Sequence, residues 1–439
     1  MRGEAVIFFY LLISVMPLVQ HPFWSHFVGT LTMTKIVGVV CLVYAVLHVS
    51  LRPRSLRFFQ TSQARWFAAL CLIAALSYVA KNQASEWEVS PLMSYVSFFL
   101  LFLLTLALVD SLVRLRWVLL VAIGSMGLAS LYVLREWQKF HNVYREFRPG
   151  FVTGDPNYFS VSALLCLPLA FYLIRGRPKW ERWFCIGCIA LTLLALTAAA
   201  SRGALVALIV MALIMAWRSR QRAGGLLLVG AFAIFISVVS PAAPVERILN
   251  PTHGDIQSTD TRKAVWAAGM RMIAENPVVG IGLGNFKPLV SQYAEPGQRL
   301  DKIAHNTYIE MAAELGLVGL VVFVVILFGT IHQLGEIRRR TQLAGPLLIY
   351  EASQGMQLGL IAYAIACFFV SVQYQKLFWL MIFLTMCLPL LERASKAQPV
   401  QDRPRWSWAT LRPIWASPQA AHAPLPGHTR MPFGPPGKV

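Results

Sequence analysis

The feature that most constrains this chain is the recurrence of apolar runs close to 20 residues long, each able to cross a bilayer as a helix. They fall near 5–20, 28–50, 66–80, 92–112, 117–134, 157–174, 183–200, 203–217, 223–241, 311–332, 355–373 and 376–392. In hydrocarbon a segment must satisfy its own backbone hydrogen bonds, so such runs fold as helices. The expected fold is an all-α polytopic membrane protein with about 12 transmembrane helices. Composition agrees, since 57% of residues are hydrophobic and only 13% are charged, well under the quarter typical of soluble domains. The first run lacks a convincing small-x-small cleavage site and is read as a retained helix rather than a signal peptide.

A formal net charge of +19 would point to nucleic acid in a soluble protein. Here the positions of the charges argue for topology and against nucleic acid. Arg52, Arg54, Arg57 and Arg65 follow the second run, Arg114 and Arg116 the fourth, Arg175, Arg177, Lys179 and Arg182 the sixth. Arg218, Arg220 and Arg222 follow the eighth, Arg338, Arg339 and Arg340 the tenth, Arg393 and Lys396 the twelfth. Basic residues collect on the cytoplasmic side. Both termini are therefore expected in the cytoplasm, with the odd-numbered exits on the periplasmic face of an inner membrane. The chain then divides into spans one to nine (1–240), a large and partly helical periplasmic loop between spans nine and ten (241–310), spans ten to twelve (311–392), and a proline-rich, disordered cytoplasmic tail (393–439). Cys185-Ile-Gly-Cys188 matches C-x-x-C but sits inside a run, so these are expected to be inert buried thiols.

The outer face carries the candidate chemistry. Arg202 sits between two apolar runs with almost no loop, ringed by Ala198, Ala199, Ala200, Ser201, Gly203 and Ala204. An arginine at such depth is costly and marks a candidate site. In the loop, Thr259 or Asp260 is expected to cap a helix that Asn276-Pro277 stops. On that helix Arg262 and Arg271 lie about 180° apart, so they cannot aim at one point. Arg262 shares its face with Trp266, Met270 and Ile273, the face expected against the membrane or a lipid. The glycine-rich turn at 280–286 lacks the strand and helix of a nucleotide fingerprint. His305, read as lying in the first turn of the next helix, would feel the dipole's positive end and stay neutral. Asn306 and Tyr308 are assigned to orientation and interface anchoring, with Glu310 and Glu314 complementing the dipole. Arg148, Asp155, Asn157 and Tyr158 form a further polar cluster, in which "GDPNYF" reads as a turn entering a helix. No cluster has metal-ligand spacing, so neither metal nor cofactor is expected. Arginines match phosphate oxygens, and a neutral histidine can take a proton from an attacking hydroxyl.

Four segments, "GDPNYFSVSALL", "SRGALVAL", "TRKAVWAAGMRMIAENPVVGIGLGNF" and "HNTYIEMAAELGLVGL", together resemble the bacterial O-antigen ligase and polymerase superfamily, over roughly residues 150–330. The resemblance is strongest to its lipopolysaccharide O-antigen ligases. It implies metal-independent transfer of a glycan from an undecaprenyl-diphosphate-linked donor to a sugar hydroxyl on lipid A–core, within the membrane. It also implies that Arg202 and Arg262 hold the diphosphate and that His305 is the base. Arg148, Asn157, Trp266, Arg271, Asn306 and Tyr308 are the expected substrate-binding residues, with Arg271 standing as a substitute for Arg262. Rival readings are an O-antigen polymerase, a protein O-oligosaccharyltransferase and a flippase for the lipid-linked sugar. The topology makes a direct test: with an impermeant thiol reagent on intact cells, Ser291→Cys should label and Ser219→Cys should not.

Overall fold

The structure, a computed structural model, describes residues 2–18, 36–41, 43, 61–80, 91–140, 147–150, 155–218 and 253–397. The chain divides into units Met1–Ser395 and Lys396–Val439, and the first is described here. The expected ninth span, most of the second, and the tail lie outside the described residues.

Among the described residues the regular structure is helical. In chain order the helices are α1 (Arg2–Val15), α2 (Ser62–Ala80), α3 (Pro91–Leu108), α4 (Leu112–Phe140), α5 (Pro156–Leu173), α6 (Lys179–Ala199), α7 (Arg202–Arg218), α8 (His253–Glu275), the single turn α9 (Phe286–Leu289), α10 (Thr307–Ala344), α11 (Leu347–Ala366) and α12 (Lys376–Ala397). Seven of them are long and apolar enough to cross a membrane: α2, α3, α4, α5, α6, α10 and α12. This is a multi-pass membrane protein.

Helix α11 is more polar than a lipid-facing span because the protein surrounds it. Glu351, Gln354 and Gln357 are buried on it, and Glu351 pairs with Arg177. Its contact with α5 is close because Gly355 and Gly359 face that helix. A Cβ on Gly355 would come within 2.5 Å of Leu169 Cα, and one on Gly359 within 2.9 Å of the Leu165 carbonyl. Small residues four apart are what let two helix backbones approach inside a membrane. Gly127 does the same for α4 against α6, where an added Cβ would meet Cys188 Sγ at 2.8 Å. Cys188 is thus a packing residue, and Cys185 is a buried free thiol beside it in sequence.

Two expected boundaries are corrected. The run at 355–373 is not one helix: α11 ends at Ala366, and 367–375 form a non-helical strap before α12. Apolar residues continue through the strap, so hydropathy cannot see the end of the helix. The loop helix begins at His253 rather than at Thr259 or Asp260. It stops at Glu275, before Asn276-Pro277 as the sequence suggested.

Helix α10 is broken inside. Gly316 has φ 69° and ψ 179°, and the carbonyls this would orphan are taken by the glycine-rich turn. Ile281 N–H donates to the Ala313 carbonyl (2.8 Å) and Gly282 N–H to that of Glu314 (3.1 Å), while Leu317 N–H donates to Pro277 (2.7 Å). The Ser77 hydroxyl of α2 also donates to the Glu314 carbonyl (3.1 Å). A kink needs such an inserted partner. The stretch of α10 before the break joins the loop's own core, where Ala313 and Ile309 meet Val265, Ala268, Met272, Ile281, Phe286 and Val290. The buried face of α8 is accordingly that of Val265, Ala268 and Met272, whereas Met270 is exposed.

Gly316→Ala should be strongly destabilising. A left-handed non-glycine residue costs on the order of 1–3 kcal/mol, and the new Cβ would sit 2.1 Å from the Val278 carbonyl. Gly329→Ala, where a Cβ meets nothing within 4 Å, is the matched control. Thermal unfolding in one detergent should place the first well below the second.

Candidate functional site

The ends of α5, α6 and α7, the middle of α8, the segment at Arg148 and the strap meet at one small cleft. Helix α6 closes on Ala200, which adopts the left-handed conformation (φ 47°, ψ 44°) and donates its N–H back to the Thr197 carbonyl. The tight turn leaves only Ala200 and Ser201 before α7 begins at Arg202. The α7 N-terminus therefore opens into the cleft, where the positive end of its dipole favours an anion. Gly203 is needed there because a Cβ would come within 2.6 Å of Phe369 Cβ.

The cleft holds about 50 Å³ of water-accessible space, lined by Arg148, Asn157, Ala200, Ser201, Arg202, Gly203, Arg262, Phe369 and Val370. That is room for a few waters or one phosphate-sized group. Arg148 is fixed by donating to the Ala199 carbonyl (3.0 Å) and to Asn157 Oδ1 (3.1 Å). Asn157 Oδ1 also accepts from the Ser201 hydroxyl (2.9 Å). Asp155 caps α5 by accepting from Asn157 N–H (2.7 Å), which sets the residue that holds Arg148. Arg262 reaches across from α8 and donates to the Phe369 carbonyl (3.4 Å). Its pKa is lowered by burial and then by the Arg202 charge, with Asp155 opposing. Like charges held this close are unfavourable to one another, and an anion between them removes the penalty.

The expected site residues separate into two groups. Arg148, Asn157, Arg202 and Arg262 come together in the cleft. Arg271 does not: it faces the other way and bonds the Tyr293 carbonyl (2.6 Å) and Glu295 (3.4 Å). Trp266 donates its indole N–H to the Ala304 carbonyl (2.7 Å). Asn306 is the N-cap of α10, accepting from Tyr308 and Ile309 N–H. Tyr308 donates its hydroxyl to the Ala364 carbonyl (2.7 Å) and packs on Phe368. Trp266, Asn306 and Tyr308 thus hold the backbone around His305 and are not among the cleft's lining residues.

His305 is not in the first turn of α10, as its sequence position suggested. It precedes the cap and has φ 48°, because the asparagine that follows is the better N-cap. Both flanks are tied down. Ala304 N–H donates to Glu310 (3.1 Å), and Thr307 N–H donates to the Cys367 carbonyl (2.8 Å). The imidazole is held below its ordinary value of 6.5 first by burial, then by Arg262; Asp155 opposes this, and Lys302 adds to it. Neutrality thus follows from burial and a neighbouring guanidinium, with no part for the first-turn position expected. Among the described residues no three His, Cys, Asp or Glu side chains group as metal ligands do.

The strap was missed from sequence. Ser371 and Gln373 both donate to Glu310, Thr307 donates to the Val370 carbonyl (2.7 Å), and Gln375 donates to that of Tyr158 (3.0 Å). Its available signal was the polar run Gln373-Tyr374-Gln375 between two apolar stretches. Glu314 likewise bonds Phe286 N–H (3.3 Å) and the Tyr374 hydroxyl (3.3 Å).

A titration checks the electrostatics. A histidine whose folded pKa lies below its unfolded value binds protons less readily when folded, so stability declines as pH falls through 6.5 and below. By NMR of labelled histidine, His305 should titrate below 6.5, Arg262→Gln should move it up, and Asp155→Asn should move it down.

Residues 187–324 match the family model described as O-antigen ligase. No curated protein matches the chain. The matched region contains Arg202, Arg262 and His305, whereas Arg148, Asn157 and the strap lie outside it.

Proposed function

We propose, starting from the match of residues 187–324 to the O-antigen ligase family model, that the chain ligates O-antigen from undecaprenyl diphosphate onto lipid A–core at the periplasmic face of the inner membrane. The observation carrying this reading is the convergence of Arg148, Arg202 and Arg262 on one cleft at the N-terminus of α7. One phosphate of a diphosphate is the anion such a set suits, because planar guanidiniums meet its oxygens in pairs and the helix end adds N–H donors.

The reaction is a single displacement. The acceptor hydroxyl oxygen attacks the anomeric carbon of the donor sugar, the bond from that carbon to the phosphate oxygen breaks, and undecaprenyl diphosphate leaves. His305 takes the hydroxyl proton. A base is useful only if it is unprotonated at working pH, and the lowered imidazole pKa supports that. Arg202 and Arg262 stabilise negative charge as it develops on the leaving diphosphate, where fixed charges act most strongly. The domain division at 241–310 and the cytoplasmic termini belong to the same proposal, since they put His305 and Arg262 on the side where donor and acceptor meet.

Purified protein in detergent, with lipid-linked glycan and lipid A–core, tests the reading. His305→Ala should lose about 10²–10⁴ in rate. Arg202→Ala and Arg262→Ala should each lose on the order of 10²–10³, and Arg202→Lys should also be impaired because it loses the planar fork. Arg271→Ala should stay close to the parent, since Arg271 points away from the cleft. Near-full activity in His305→Gln would remove the base. In cells lacking the gene, core with no O-antigen is the expected lipopolysaccharide pattern. Core carrying a single repeat would instead make the protein a polymerase.

A further inference from the structure

The segment between α8 and α9 carries an apolar surface unlike that of a loop in water. Val278 is 62% exposed and Val279 48%. Their backbone is seated on the break in α10, with Leu317 N–H donating to the Pro277 carbonyl at 2.7 Å and the Val278 carbonyl against Gly316. Directly beyond the break Leu317 and Val321 are exposed on a helix long and apolar enough to span a membrane. Helix α2, which also qualifies as a span, comes to the same level through Ser77, whose hydroxyl bonds the Glu314 carbonyl. It exposes Leu76 and Val79 there. The two valines therefore adjoin the exposed apolar face of α10, at the level where α2 exposes its own.

We propose that the turn Pro277–Gly280 is inserted into the bilayer, its partner being the acyl chains of the leaflet on that side. Exposed apolar surface calls for such a cover, and its place beside the apolar face of the α10 span identifies lipid as the cover. Part of the turn's backbone is already provided for, as an apolar setting requires. Pro277 has no N–H, Gly280 N–H donates to the Asn276 carbonyl (3.1 Å), and Ile281 N–H donates to that of Ala313. The consequence reaches the cleft. Helix α8 ends at Glu275, two residues before the inserted turn, so the bilayer holds the C-terminal end of the helix that carries Arg262 about 20 Å away. The turn thereby sets the height of Arg262 relative to the membrane, whatever the reaction.

The full chain in phospholipid vesicles provides the test, with the photoreactive residue p-benzoylphenylalanine placed singly at 278, 279, 321 or 298. After irradiation and mass spectrometry, positions 278 and 279 should form adducts with lipid acyl chains at yields comparable to position 321. Position 298, on a water-facing loop, should form almost none. Yields at 278 and 279 no higher than at 298 would overturn the proposal. So would absence of adducts at 321, because the apolar face that the turn continues would then not meet lipid.

Discussion

Everything around the cleft depends on how the break in α10 is satisfied. Interrupting a helix that runs into apolar surroundings leaves carbonyls and N–H groups that no water can reach, and each unsatisfied group costs several kcal/mol by order of magnitude. The glycine-rich turn answers that need by bonding Ala313, Glu314 and Leu317. Gly280 and Gly316 make the approach possible, since a Cβ at either would fall within 2.5 Å of the opposing backbone. The loop is thus part of the α10 backbone ladder and not a flap laid over it. Its helix α8 and the stretch of α10 before the break share one core, which gives Arg262 a rigid mount.

The cleft is an electrostatic arrangement held by neutral parts. Arg148 and Arg262 each donate to a main-chain carbonyl at a helix end or on the strap, so they are held by groups whose positions the fold sets. Small residues keep the space open, as the fit of Gly203 against Phe369 illustrates. The result is positive charge, backbone donors and little competing carboxylate at one point. Preorganised charge of this kind stabilises a developing anion without reorganising at the moment of reaction.

Glu310 and Glu314 serve this arrangement from behind. Both are buried, and both accept hydrogen bonds: Glu310 from Ala304, Ser371 and Gln373, Glu314 from Phe286 and Tyr374. They link α10 to two segments distant in sequence, the strap and the turn at Phe286. The strap hangs on Glu310, and the strap in turn supplies the Phe369 carbonyl for Arg262 and the Cys367 carbonyl for Thr307.

Much of this was legible in the sequence where the signal is local. Apolar length marked seven runs that fold, among the described residues, as helices able to cross a membrane, because a bilayer imposes a minimum length on each. The arginine between two runs, the spacing of Arg262 and Arg271 on one helix, and the stop at Asn276-Pro277 all follow from helix geometry and hold in the structure. Tertiary structure alone decided the rest. That Arg148 and Asn157 would join Arg202 depends on how α5 packs beside α6. That 367–375 leave the helix depends on Thr307 and Glu310 capturing the strap, which no window of hydropathy contains. His305 stands outside the first turn because Asn306 outcompetes it as the cap and because Ala304 is bound on both its N–H and its carbonyl. A single chain states the length and chemistry of each segment; which segments share a hydrogen bond is a property of their packing.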